Sequence, residues 1–175
     1  DRLSWNLRAP ISTHIEREGI GWEVRRGNMQ NVCSSCHANE LIVNFYEQLD
    51  AGVQLYNEKF GLPAKEIYDA IREAEIVDTT ETFDDEFEWL YWYLWHHEGR
   101  RARVGLAMIG PDYVQWHGFY DIAERFYIEL IPEAQHLCEL ALEDTQKEAD
   151  ARAILNQIDT ILNSEMHEWF VQKDR

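Results

Sequence analysis

The run Cys33-Ser34-Ser35-Cys36-His37 constrains this chain more than any other feature. Two cysteines separated by two residues and followed at once by histidine form the attachment spacing of a c-type haem. The thiols of Cys33 and Cys36 can form thioethers to the two vinyl groups, and His37 then lies beneath the iron as its proximal ligand. A zinc site would need a second Cys/His pair at similar spacing, and the third cysteine, Cys138, stands alone. A thioredoxin-like pair would follow a strand, and Arg25-Arg26-Gly27-Asn28-Met29-Gln30 has no strand pattern. Haem c is therefore the expected cofactor.

The 175 residues suit one domain, or one lobe of something larger. Sixteen Lys and Arg against 33 Asp and Glu leave a net charge of -17. Such a surface repels nucleic acid and anionic membrane, and suits a basic redox partner. No run approaches the roughly 18 apolar residues of a membrane span, and no signal peptide opens the sequence. Covalent haem attachment takes place outside the energy-transducing membrane, so the expectation is a mature chain, or one cut from a precursor, in an extracytoplasmic compartment. Seven Trp and eight Tyr are many for this length. A monomer of this size would struggle to bury them, which leans toward oligomer packing.

Periodicity gives an all-α fold. Residues 1–36 read as an irregular haem-approach segment, punctuated by Ala9-Pro10, Gly19, Gly21 and Gly27-Asn28. Residues 37–175 read as one bundle of four to five long helices. Leu41, Phe45, Leu49 and Val53 mark the first stripe. Pro63 suits the first turn of a short helix through Ile67 and Ile71. Thr80 or Thr82, followed by Asp84, Asp85 and Glu86, marks a capped start for a helix running past His97 toward Met108. Gly110-Pro111 breaks that helix, and Pro132 interrupts or kinks the next. A last long helix spans Leu137 to Met166.

Context selects the candidate sixth ligands. His96 and His97 come after Trp89, Trp92 and Trp95, and neighbouring imidazoles diverge by about 100° around a helix. His14, before the motif, is a further candidate, and His117 is also compatible. His136 and His167 sit among acids and read as solvated. Arg100 and Arg101, beside the histidine pair, have the fork geometry that holds propionates, or else they pair within an acidic surface. Cys138 reads as a buried free thiol.

Three stretches taken together resemble the C-terminal part of the hydroxylamine oxidoreductase and hydrazine dehydrogenase family: Arg25 to His37, Trp95-His96-His97-Glu98-Gly99-Arg100-Arg101-Ala102-Arg103, and Gly110-Pro111-Asp112-Tyr113 through Trp116-His117-Gly118-Phe119-Tyr120. That family consists of octahaem cytochromes c, usually trimeric, in bacteria that oxidise ammonium. The resemblance implies an oxidoreductase subunit acting on hydroxylamine or hydrazine, with one electron-relay haem on this chain. It implies companion multihaem chains, a redox partner cytochrome, and a location in the periplasm or an equivalent compartment such as the anammoxosome lumen. It also implies a tyrosine bonded to a neighbouring subunit's catalytic haem, a role that falls on Tyr113, with Tyr120 as second choice. His96 or His97 would then be an axial ligand, of this haem or of one carried elsewhere. One C-x-x-C-H stands here where the family has eight. The alternative is a monohaem electron-transfer cytochrome without a substrate of its own.

Overall fold

A computed structural model describes residues 21–171, and among these no strand occurs. The all-α expectation holds. The chain divides into two compact units, one ending at Asn57 and one beginning at Glu58, where the sequence suggests a boundary at 36/37.

In the first unit, α1 (Trp22–Cys33) overturns the expectation of an irregular approach over those residues. Gly21 is the extended residue that starts it, while Gly27 lies within it. The helix escapes a periodicity search because it has no buried residue and hence no apolar stripe. It is held from the side instead. Arg26 donates to both carboxylate oxygens of Asp50 at 2.8 and 2.9 Å, and its guanidinium lies 5.0 and 4.8 Å from the rings of Trp22 and Tyr46. Asp50 belongs to α2 (Asn39–Tyr56), whose buried side chains are Ile42, Leu49, Val53 and Tyr56. The stripe is rotated from the expected one, since Leu41 is 57% exposed.

A π-helical turn over Asn57–Gly61 spans the boundary, and the first α-helix of the second unit is α3 (Leu62–Glu73), which has Pro63 in its first turn and buries Ala64, Ile67 and Ile71. The start of α4 (Glu86–Trp92) corrects the expected threonine cap. Asp85 is the N-cap, accepting the Glu88 N–H at 2.8 Å. Thr80 folds back on Asp78 instead, donating its N–H and hydroxyl to one carboxylate oxygen. Glu88 is buried, forms an ion pair with Arg72 and accepts from the Tyr68 hydroxyl and the Phe83 N–H.

A π turn over Tyr93–Glu98 leads into α5 (Gly99–Met108). Ile109, in the left-handed region at φ 53°, then reverses the chain, with the Gly110 N–H on the Gly105 carbonyl at 2.9 Å. The return runs through α6 (Pro111–Val114), a π turn Gln115–Tyr120, α7 (Asp121–Glu124), a π turn Arg125–Leu130 and α8 (Ile131–Ala141). Pro132 does not interrupt this run. It sits in the first turn of α8, directly after a π turn whose wider hydrogen bonding absorbs the missing N–H. The expected last long helix is two. Asp144 accepts the Gln146 N–H on its side chain and the Lys147 and Glu148 N–H groups on its carbonyl, separating α8 from α9 (Glu148–Leu162). A short α10 (Glu168–Val171) comes last. Phe87, Leu94, Ile122, Phe126, Leu130 and Ile158 form a fully buried core.

Two glycines let the chain pack this closely after the reversal. A Cβ on Gly118 would lie 2.9 Å from Ala102 and against the Tyr113 carbonyl, and one on Gly105 would lie 3.0 Å from the Tyr113 Cβ. Gly118→Ala is expected to cost about 1–3 kcal/mol through overpacking. Gly27→Ala, with nothing within 4 Å of the added carbon, is expected to gain up to about 1 kcal/mol from helix propensity. Urea denaturation of both variants checks this, and an unchanged midpoint for Gly118→Ala would contradict the close approach.

Candidate functional site

The motif cysteines occupy the last residue of α1 and the turn beyond it. The Cys33 carbonyl accepts the N–H groups of both Cys36 and His37, at 3.1 and 3.0 Å. Ser34 fastens the same turn by donating its hydroxyl to the Asn31 carbonyl at 2.7 Å. Ala38 then extends and starts α2. Cys33 is half-buried, Cys36 and His37 are exposed, and the thiols are free. All three donors therefore stand on one turn with their reactive atoms reachable.

This arrangement fits a haem c. Val24, Met29 and Val32 on α1 and Leu41 and Val43 on α2 are exposed apolar side chains in the same unit. Val32 directly precedes Cys33, Met29 lies one helical turn before it and Leu41 four residues after His37, and exposed apolar side chains so placed are what a large flat apolar ring would cover. A single metal ion fits less well. Among the described residues, the one group of three ligating side chains with donor atoms within 4.8 Å of one another is Asp84, Asp85 and Glu88. Two of these already have structural work, Asp85 as a cap and Glu88 as the partner of Arg72.

His96 and His97 belong to the second unit, on the π turn Tyr93–Glu98, with ring centroids 5.5 Å apart. His96 stacks on Trp92 at 4.5 Å and 14°, and its Nδ1 is buried without a hydrogen-bond partner. Burial, then the charges of Arg100 and His97, holds its pKa below the usual imidazole value. His97 meets Trp92 edge-on at 4.7 Å and lines a polar cavity. Of the expected propionate forks, Arg100 is exposed, and Arg101 lies 3.7 Å from Asp121. His14 falls outside the described residues. His117 is exposed between Asp112 and Asp121, at 3.5 and 3.9 Å.

Tyr113 stands in the first turn of α6, 56% exposed, with its Cβ held against Gly105. Tyr120 and Trp116 are 53% and 61% exposed, and Met108 and Ile109, at the reversal, are each 75% exposed. Both candidate tyrosines therefore point an unburied ring outward, beside other exposed apolar side chains.

Sequence reasoning missed two buried polar groups. Glu98 is 4% exposed, its Oε1 accepts from Arg125 at 3.1 Å, and its Oε2 has no partner. Burial raises its pKa, with Arg125 pulling the other way. The one sequence sign was an acid directly after two histidines in an aromatic helix. His167 corrects a plain expectation. It is not solvated but 2% exposed, stacked on Phe126 at 5.4 Å, with Nδ1 2.7 Å from the Tyr127 hydroxyl. The acids around it in sequence misled, because the neighbouring aromatic residues Trp169 and Phe170 pack on Tyr127. Cys138 is buried and free, as expected, and burial pushes its thiol up to about 11.

No protein-family model matches the chain, and neither a curated protein nor a solved structure is similar to it.

Burial, with the charge of Lys59, pushes the His167 imidazole down to about 4. A folded pKa below the unfolded value of about 6.5 means that the unfolded chain binds the extra proton. The contribution is therefore whole above pH 6.5 and is lost as pH falls toward 4. Wild-type protein is expected to lose about 2 kcal/mol more than His167→Gln between pH 8 and pH 5. Parallel urea titrations at the two pH values measure it, and equal losses would contradict a neutral buried imidazole.

Proposed function

We propose that this chain is a haem-bearing lobe of a multihaem c-type oxidoreductase that oxidises hydroxylamine or hydrazine, in the manner of the family its sequence resembles. The observation that carries the reading is the single turn on which Cys33, Cys36 and His37 stand accessible, flanked by exposed Met29, Val32 and Leu41. Cys33 and Cys36 would hold the porphyrin by thioethers, and His37 would be its proximal ligand. When bound, the haem supplies one-electron transfer, and the protein sets ligation, access and orientation. The exposed apolar side chains of α1 and α2 would help exclude water from the bound haem. In the second unit, His96, with its buried Nδ1 lacking a partner, and His97 are candidate axial ligands of a haem carried by a companion chain, and Arg100 is the freer of the two candidate propionate forks. Tyr113 supports the larger assembly, because its ring is presented outward at a helix start and is fixed at its base by Gly105. Its proposed role is to reach the catalytic haem of a neighbouring chain.

The second reading is a monohaem electron-transfer cytochrome, favoured by the net charge of -17, which suits docking to a basic partner. Intact mass spectrometry of natively purified protein under denaturing conditions separates the two. A covalent species that joins this chain to a multihaem chain is expected. A mass of one chain plus one haem would favour the carrier, and a mass without haem would overturn both.

Variants sharpen the test. Replacing both Cys33 and Cys36 with Ser is expected to remove haem from the denatured chain entirely. Tyr113→Phe is expected to leave this chain's own haem in place and abolish the link between chains, while Tyr120→Phe keeps both. The masses of the three variants read these outcomes directly.

A further inference from the structure

A tyrosine and a histidine with no part in holding haem form a directed chain of hydrogen bonds inside the second unit. The Tyr127 hydroxyl lies 2.7 Å from His167 Nδ1, and the two residues are 4% and 2% exposed. His167 also hydrogen-bonds the Lys59 backbone, a contact that favours the protonated ring, so the ring donates to the carbonyl. A neutral imidazole has one N–H. With Nδ1 facing Tyr127, that N–H is Nε2–H on Lys59, and Nδ1 presents a lone pair. Tyr127 is therefore the donor to His167. Trp169, whose side chain can only donate, hydrogen-bonds the same hydroxyl, so the Tyr127 oxygen accepts there. The chain runs one way, from Trp169 through Tyr127 and His167 to Lys59.

Packing alone would be satisfied by either direction of the central bond, but only this one lets a proton follow an electron. Burial pushes the Tyr127 hydroxyl up to about 12, against the Trp169 hydrogen bond, so the phenol keeps its proton at neutral pH. His167, held neutral, is the base in contact with it among the described residues. A phenol that has lost an electron is a far stronger acid than an imidazolium, so even this weakly basic nitrogen takes the proton. The rings around the pair suit the same chemistry. Phe170 stacks on the Tyr127 ring at 4.3 Å and 16°, and Phe126 meets it edge-on at 5.1 Å, which shields it from radical coupling. Trp169 is 51% exposed and meets Tyr127 edge-on at 5.5 Å, so one indole leads from solvent to the buried phenol.

We propose that Tyr127 is a reversible one-electron redox site, with His167 as the acceptor of its proton. The oxidant is a high-potential one-electron acceptor, such as a peroxide-activated iron centre, and it is reduced by one electron. Tyr127 loses that electron, its O–H bond breaks, and an N–H bond forms at His167 Nδ1. The pair becomes a neutral phenoxyl radical beside an imidazolium that keeps its Nε2–H on the Lys59 carbonyl. A one-electron reductant restores the phenol, and the proton returns across the same hydrogen bond. The site needs no haem on this chain, so it stands or falls independently of the haem-bearing role.

The test is flash photolysis of the full chain, as purified and fully oxidised, at neutral pH. Tris(bipyridine)ruthenium is the photo-oxidant, with persulfate as its electron acceptor. A tyrosyl radical is expected that outlives those of the urea-unfolded chain, read by absorption and by electron paramagnetic resonance of frozen samples. Tyr127→Phe is expected to remove it. His167→Gln keeps an acceptor for the hydroxyl but no base, and is expected to slow radical formation about a hundredfold, the low end of what a positioned base contributes. In wild-type protein, labelling histidine with the heavier nitrogen isotope is expected to change the hyperfine pattern of the radical. The proposal is overturned if the radical lives no longer than in the unfolded chain, persists in Tyr127→Phe, or forms at the wild-type rate in His167→Gln. Should either variant fail to fold, the label decides, because a tyrosyl radical without coupling to a histidine nitrogen also overturns it.

Discussion

The second unit depends on the closeness of two backbones at Gly118. A helix turn can lie against Ala102 only where no side chain intervenes, and that contact fixes how the chain returns after Ile109. Everything beyond the reversal is placed by it. On one side, Tyr113, Trp116 and Tyr120 are left facing outward. On the other, Asp121, Glu124 and Arg125 come alongside Glu98 and Arg101 around a shared cavity. The exposed aromatic row and the charged cavity are thus consequences of one steric allowance. Neither could be changed by a substitution at Gly118 without changing the other.

The π turns are the second organising feature. Each inserts the equivalent of an extra residue into a helix and so rotates the next turn of chain about the axis. The turn at Tyr93–Glu98 lets His96 lie flat on Trp92 while His97 faces the cavity. Arg103 secures the same region by donating to the carbonyls of Gly99 and Trp95, at 2.9 and 3.3 Å. The turn at Arg125–Leu130 carries the helix across Pro132 and sets both Phe126 and Tyr127 inward. These rotations cost backbone regularity and are tolerated because large rings fill the altered surface.

The sequence made legible whatever depends on a repeating apolar face or on a local stop signal. The helical class, the Pro63 start, the Gly110-Pro111 break and the buried Cys138 were all readable on those grounds. It hid the features that have neither. α1 has no buried stripe, so its glycines looked like punctuation. Asp85 outcompeted nearby threonines for the cap because its carboxylate reaches the Glu88 N–H. The split between α8 and α9 comes from Asp144, a turn former within a polar stretch. For the candidate site, the grouping of Cys33, Cys36 and His37 was readable from their spacing, whereas Tyr113 was singled out only by the family resemblance. Glu98, Arg125 and the Tyr127–His167 pair were not, because their meaning lies in contacts between residues far apart in the chain.

The absence of any buried side chain on α1 bears on the order in which this protein is completed. A helix with no buried side chain, whose contacts include Arg26 on Asp50 and on the rings of Trp22 and Tyr46, belongs to the class of segment that opens locally at low cost. Were the proposed haem attached there, the thiols could be offered on locally opened chain after the remainder of the molecule had formed, and attachment could be the last step in making the protein rather than the first.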